Sequence, residues 1–385
     1  MPADRLKQIL DRRPWLARDN LFNHGFTQAT SVDAVDEIAI GVRLLDAYRC
    51  ACSDMPVRAN ESDIWTSLLG AWYGDFKALL ARGSARELTE YLRDLPRQPA
   101  AHGYFQGREA YDNLMRDSAG REHRAIALMD YLAGYAEAVG VLAVRSPEQA
   151  GWQEFGGDSA RALRAAIERK TGVPIAFPPV FDGLFALEPE DGALHLRSIM
   201  PAYAIHRLAS VRTFVAAGER GLRVAEIGAG IGFTAFAAQS LACERYAIFD
   251  LPEVNVAQGY FLLRTLGRDK VALYGEPQKD RKVAVLPGFA FHAEPAASYD
   301  VTLNTDSLPE IARADAAQYV ASIARCSRSF FSINQETQAP QTNASRQLKV
   351  SELIEVSGRF RSVWRYPNWV RPGYVDEFWL VADRS

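Results

Sequence analysis

Apolar residues in the first half of the chain recur at helical spacing. Ile64, Leu68, Leu69 and Trp72, then Phe76, Leu79 and Leu80, then Leu88 and Leu92 stand on one helical face, so the pattern predicts helix over 63–95. Asn60 or Ser62 caps its start, and Pro96 and Pro99 end it. A second block, 121–144, places Ile126, Met129, Leu132, Tyr135 and Val139 on one face, and a third, 159–170, closes at Gly172 and Pro174. The stretch 174–187 is rich in proline and reads as a linker or a substrate-facing loop. Helical spacing resumes over 203–216.

Beyond residue 220 the period changes. Short apolar runs at 222–227, 246–249, 271–274, 283–286, 299–303 and 329–333 predict strands. Helical patterns at 233–241, 254–266 and 308–324 stand between them, and 360–364 with 377–381 predict a terminal antiparallel pair. Such alternation implies a mostly parallel α/β sheet with helices on both faces. A ligand then belongs outside the carboxyl ends of the strands. The expected division is a helical domain over 1–190, which caps the site or builds a homo-oligomer, and an α/β domain over 191–385.

Composition narrows the function classes. The chain has 385 residues and is 48% hydrophobic, enough for two packed domains and too apolar for a mainly disordered chain. Its net charge of −3 lacks the basic excess of a nucleic-acid binder. The most apolar stretch, 131–144, is too short to span a bilayer and carries Glu137. The first twenty residues are peppered with charge and have no signal-peptide core. The expectation is a cytoplasmic protein with neither nucleic acid nor membrane as partner. Cys50 and Cys52 form one C-x-C pair, while Cys243 and Cys326 stand alone, which gives neither a disulfide framework nor a zinc set.

The most informative motif is Glu226-Ile-Gly228-Ala-Gly230-Ile-Gly232, between a strand and a helix. Glycines there let backbone pass close to a ligand. A dinucleotide fingerprint reads G-x-G-x-x-G, and this spacing is G-x-G-x-G. Glu226 repels a diphosphate and welcomes an ammonium, which S-adenosylmethionine carries beside its sulfonium. Asp250 ends the next strand, about 20 residues on, where an acid takes a ribose hydroxyl pair; the same residue also suits a helix N-cap. Leu251 follows it into the cofactor site. Asn304-Thr-Asp306-Ser307-Leu-Pro-Glu310 follows another strand. Asp306 and Glu310 are candidate bases there, although Ser307 and Glu310 also read as a capping box. Asn304 lines the cofactor cleft. Asn334, Gln335 and Glu336 end the next strand, and the aromatic, basic loop from Arg365 to Arg371 includes Tyr366. Tyr203, His206 and Arg207 precede the first strand, where substrate enters. Tyr203, Arg207, Asn334, Glu336 and Tyr366 are therefore candidate substrate contacts, and His206 a further candidate base. Asp306, Glu310 and Glu336 make a carboxylate set suited to magnesium, but no spacing demands a metal.

These residues resemble the bacterial sugar O-methyltransferase family that depends on S-adenosylmethionine. The likeness runs through the glycine motif, Tyr246-Ala-Ile-Phe-Asp250-Leu-Pro-Glu-Val-Asn255, Gln258-Gly259-Tyr260-Phe261-Leu262, Asn304-Thr-Asp306-Ser307, Phe331-Ser-Ile-Asn334, Arg365-Tyr-Pro and Arg371-Pro-Gly373-Tyr374-Val-Asp-Glu377. It covers about residues 60–385. It implies a class I methyltransferase fold with an N-terminal helical region, S-adenosylmethionine as cofactor, and methyl transfer to the hydroxyl of a small-molecule acceptor, a sugar or glycoside. Where the family commonly reads Asn-His-Glu, this chain has Asn334-Gln335-Glu336, so a base at that position passes to Asp306, Glu310 or His206. Two other classes remain as alternatives: an NAD-dependent oxidoreductase, disfavoured by the glycine spacing and Glu226, and a non-catalytic methyltransferase-like partner protein.

Overall fold

In the computed structural model, residues 3–56, 64–105, 107–144, 148, 158–215, 221–241, 243–336 and 348–382 are described. They form two compact units that the chain enters more than once. The first comprises Met1–Thr30, Arg93–His206 and Trp369–Arg371; the second comprises Ser31–Leu92, Arg207–Asn368 and Pro372–Ser385. The division expected near residue 190 therefore differs from the compact units. Residues 31–92 go with the sheet, and the helix Leu196–Val211 passes from one unit to the other.

The first unit is built around the helix Ser118–Ala138, buried without interruption from Ala125 to Ala136. A helix apolar on every side belongs in a core. Its one charged residue in that run, Asp130, accepts from Arg12 at 2.6 and 2.8 Å and pairs with Arg13, which also pairs with Glu137. The helix Ala160–Thr171 has the ends its sequence specifies: the Ser159 side chain accepts from Ala162 N, and Gly172 closes it at φ +70°. Strands β1 (His24–Phe26) and β2 (Phe185–Leu187) pair antiparallel. Thus the proline-rich stretch read as a loop ends in a strand, paired with a distant partner that local pattern cannot show.

The second unit holds eight strands: β3 (Leu222–Ile227), β4 (Cys243–Asp250), β5 (Val271–Leu273), β6 (Val283–Pro287), β7 (Val301–Thr305), β8 (Ser329–Gln335), β9 (Phe360–Pro367) and β10 (Tyr374–Val381). Their order is β5-β6-β4-β3-β7-β8-β10-β9. All neighbours from β5 to β8 are parallel, and β10 runs antiparallel to both β8 and β9. The α/β class, the Rossmann-like parallel sheet and the terminal antiparallel pair are as expected. From β3 the chain builds outward through β4 to one side, then crosses to β7 on the other. The carboxyl ends of β3 and β7 thus flank a switch point, where a crevice opens.

The predicted helix over 63–95 is three: Ile64–Trp72, Gly74–Arg82 and Ala85–Arg93. Gly83, left-handed at φ +73°, ends the second. The proposed caps Asn60 and Ser62 lie outside the described residues. A helix not anticipated from sequence, Ala34–Asp54, packs on Pro252–Leu266. There Glu37 accepts from Tyr260 Oη at 2.6 Å and from Arg264 Nη1 at 2.9 Å. Another helix not anticipated from sequence is Val350–Ser357. Among the described residues no helix is long and apolar enough to cross a membrane.

Candidate active site

β3 ends at Ile227, and the three glycines that follow are all left-handed: Gly228 at φ +70°, Gly230 at +57° and Gly232 at +88°. At Gly228 a Cβ would overlap Ser307 Oγ, so space as well as φ demands glycine. The turn is pinned from within, because Gly228 N donates to Phe249 O and Gly232 N to Ala229 O, both at 2.9 Å. The helix predicted over 233–241 is shorter, Phe233–Ala237 followed by a 3-10 turn.

Asp250 ends β4 beside this turn. Its Oδ1 accepts from Leu251 N at 2.8 Å and its Oδ2 from Gln258 Nε2 at 2.7 Å, and Ala229 N also donates to it. Gln258 Nε2 lies 3.0 Å from Gly230 O as well, which ties the acid to the glycine turn. Enclosure by protein pushes the Asp250 carboxyl up to about 7 in spite of these donors. The helix that follows has Leu251, not Asp250, at its N-cap position.

Glu226 stands one residue before the end of β3 and is buried. It is 1% exposed and pairs in register with Ile248, so strand alternation puts it on the same face of the sheet as Asp250, whose charge acts on it. Its Oε2 accepts from Tyr246 Oη at 2.8 Å, and Thr234 donates to the same carboxylate. Burial pushes it up to about 7. Glu226 thus ties β3 to β4 and to the helix that follows the turn.

A cavity of about 380 Å³ opens at the carboxyl ends of these strands. Ile227, Phe249, Leu251, Phe289 and Ile311 give it apolar walls, and Gly228, Asp250 and Ser307 stand at one side. Across from them stand His292, Asp315, Gln318 and Tyr319, with Trp65 and Pro56 from the segment 31–92. Tyr319 packs where a Cβ on Gly288 would lie. His292 Nδ1 is 2.9 Å from Ser322 Oγ, and burial holds its imidazole below the usual range. Sequence reasoning missed this wall. Gly288 and Phe289 directly follow a predicted strand and were within reach of the strand-end rule; Trp65, Gln318 and Tyr319 carried no local signal.

Asp306 is the strained residue of the site, a non-glycine at φ +71°. A buried amide ladder holds it. Asn304 Nδ2 donates to Ile227 O at 2.9 Å and also reaches Ser307 Oγ. Asn334 Nδ2 donates to Asn304 Oδ1 at 2.9 Å, and Asn334 Oδ1 accepts from Asp306 N at 2.9 Å. Tyr374 Oη donates to Asp306 Oδ1 at 2.6 Å. Asn304 and Asn334 therefore shape the turn rather than line the cavity. The capping box read at Ser307 and Glu310 is absent: Ser307 Oγ donates to Ile227 O at 2.8 Å, and Glu310 accepts from Trp65 Nε1 at 3.0 Å.

The remaining candidates are dispersed. Glu336 is held by both nitrogens of the Arg365 fork, which pulls its carboxyl below the usual range, and Arg365 also pairs with Glu377 at 2.7 Å. Arg207 lies 3.4 Å from buried Asp376, and its guanidinium stacks over Trp364 at 4.6 Å and Tyr366 at 5.7 Å. Tyr366 is exposed. Tyr203 and His206 belong to the first unit. Tyr203, 1% exposed, meets Tyr135 edge-on at 5.6 Å, a core aromatic rather than a surface contact; half-buried His206 lies 6.2 Å from the same ring. Among the described residues no three His, Cys, Asp or Glu side chains gather as a metal set, so the carboxylates of Asp306, Glu310 and Glu336 are not assembled for magnesium.

No family model and no curated relative matches the chain. Solved structures do. Magnesium protoporphyrin IX methyltransferase (ChlM) from Synechocystis PCC 6803, with bound SAM, is similar at 15% identity and a TM-score of 0.33, over 50% of this chain and 86% of that one. An O-methyltransferase family protein from Burkholderia thailandensis is similar at 12% identity and a TM-score of 0.32, over 49% and 60%. The [4+2]-cyclase SpnF is similar at 14% identity and a TM-score of 0.33, over 46% and 80%. The strand order of the sheet itself, rather than these likenesses, carries the fold assignment.

Proposed function

We propose that the chain is an S-adenosylmethionine-dependent O-methyltransferase whose acceptor is a hydroxyl of a sugar or saccharide-containing small molecule. The observation that carries this reading is Asp250 at the end of β4, tied to a left-handed glycine turn and facing an apolar-walled cavity of about 380 Å³. That volume lies in the range of small-molecule sites. A carboxylate offers about four acceptor positions, and the three donors already on Asp250 leave capacity for a ribose hydroxyl. The walls suit a nucleoside base.

Bound S-adenosylmethionine supplies an activated methyl group on a sulfonium leaving group. The protein has to orient the acceptor oxygen, exclude water and take a proton. Orientation and water exclusion supply at best about 7–11 kcal/mol of the barrier. A sugar hydroxyl is a weak nucleophile near neutrality, and a positioned base adds on the order of 10²–10⁴-fold. Asp306 has that role in this reading, since its turn contacts the cavity through Ser307 and its carboxylate is aimed by Tyr374.

Calorimetric titration with S-adenosylmethionine, its demethylated product and NAD tests the cofactor. Saturable binding of the first two, lost in Asp250→Ala, is expected. Folded protein that binds NAD and neither of the others would move the oxidoreductase reading to the front.

A further inference from the structure

At the amino ends of β3, β7 and β8, opposite the candidate active site, lies an open groove of about 550 Å³. β8 has seven residues, so the two ends of the sheet stand about 20 Å apart. Among the described residues the groove takes three guanidinium side chains, Arg325, Arg328 and Arg361, and no acid. Its remaining walls are small or apolar, Ala296, Ala297 and Leu380 among them.

The local charge runs against that of the molecule. The chain as a whole carries −3, yet four arginines converge here, because Arg223 stands behind the groove with its Nη2 3.0 Å from Ala297 O. Among the described residues two of them pair with Asp300, fully buried, 3.3 Å from Arg223 Nη2 and 3.9 Å from Arg328 Nε. One carboxylate is thus shared by two guanidinium groups. Arg325 spends its fork on the carbonyls of His292 and Glu294 and so builds the wall. Arg328 is half exposed, and the guanidinium of exposed Arg361, on the edge strand β9, makes no hydrogen bond or ion pair among the described residues. Ala297, in the wall, is held at φ +56°, a backbone that alanine rarely adopts, by the bond from Arg223 and its own N–H to Arg325 O at 3.0 Å. The arginines therefore shape a fixed concavity as well as charge it.

We propose that this groove is a second binding site, for a phosphate-bearing small molecule held by Arg328 and Arg361. Guanidinium forks match phosphate oxygens in geometry and stay charged at every working pH. Small side chains leave room for the rest of the ligand. The proposal does not depend on the methyl-transfer reading.

Pyrophosphate and glycerol 3-phosphate are the probes, titrated calorimetrically into the full chain at constant ionic strength near 0.15 M, with sulfate as control. Saturable binding of a phosphate probe is expected, at least tenfold weaker in the double variant Arg328→Ala, Arg361→Ala. Pyrophosphate preferred over the ester assigns the site to a diphosphate, and the reverse order assigns it to a monoester. Arg328→Lys with Arg361→Lys should recover only part of the affinity, because the charge remains and the fork is lost. Thermal melts and S-adenosylmethionine titration of the same variants should match the parent. Absence of saturable binding, equal binding of sulfate, or undiminished binding in the double alanine variant overturns the proposal.

Discussion

At the residue scale, strain and burial mark the positions that matter. Asp306 occupies a left-handed backbone conformation that the Asn304–Asn334 ladder and Tyr374 sustain. Asparagine tolerates that conformation better than most residues. Asp306→Asn should therefore melt within about 2 °C of the parent, bind donor normally, and lose about 10²–10⁴-fold in methyl transfer, followed with labelled donor. Weakened donor binding would instead make Asp306 part of the cofactor turn. Glu226 carries a second prediction. Its carboxyl is pushed up to about 7 in the fold, well above an unfolded glutamate. Between the ordinary carboxylate range and pH 7 the folded state then binds the extra proton, so this group lowers stability as pH rises through that window and changes nothing further above it. Glu226→Gln keeps an acceptor for Tyr246 and removes the titration. Its melting temperature should gain on the parent between pH 5 and 7.5; parallel curves would show that Glu226 does not titrate there.

At the scale of elements, the β3 turn is the most tightly specified piece of the chain. Gly228 meets Ser307, a Cβ on Gly232 would lie 3.1 Å from Leu262 Cδ1, and Gln258 links Gly230 to Asp250. Three elements thus converge on a few backbone atoms. Gly228→Ala forces a left-handed alanine into the space of Ser307 Oγ. The turn should open, and S-adenosylmethionine affinity should fall at least tenfold in calorimetry while far-ultraviolet circular dichroism keeps the parent's spectrum. Affinity equal to the parent's would show that the turn does not hold the cofactor. The paired helices Ala34–Asp54 and Pro252–Leu266 show the same economy. Gly41 and Gly259 leave room for Ala85 O and the Leu44 side chain respectively. Neither glycine announced this in the sequence, because the neighbour that needs the space is far away along the chain.

At the scale of the whole molecule, each unit has its own internal logic. The first buries a helix on all sides and neutralises that helix's deep carboxylate, Asp130, with two arginines from the N-terminal segment. The second draws residues 31–92 into the unit of the sheet, where Arg43 pairs with Glu276 at 2.6 Å and Trp65 reaches Glu310. A linear division at residue 190 missed this because contiguity in sequence does not report which core a helix joins. The strands were largely legible: β3, β4, β6, β7 and β8 fall within a few residues of the apolar runs that predicted them, since parallel strands buried on both faces read as continuous apolar segments. The helices were less so. Ala34–Asp54 is only half-buried on much of its surface, and its period is diluted by polar residues.

The sequence by itself determined the alternation of strand and helix, the glycine turn, and Asp250 as the acid that closes the next strand. Backbone sterics and side-chain period are local, and local pattern specifies them. Only the tertiary structure decided that Tyr246 and Thr234 bond Glu226, that Asn304 and Asn334 brace a strained Asp306, that Tyr203 is core, and that Trp65 and Tyr319 wall the cavity. Those outcomes depend on strand phase and on contacts between residues tens to hundreds of positions apart, which one-dimensional order does not carry.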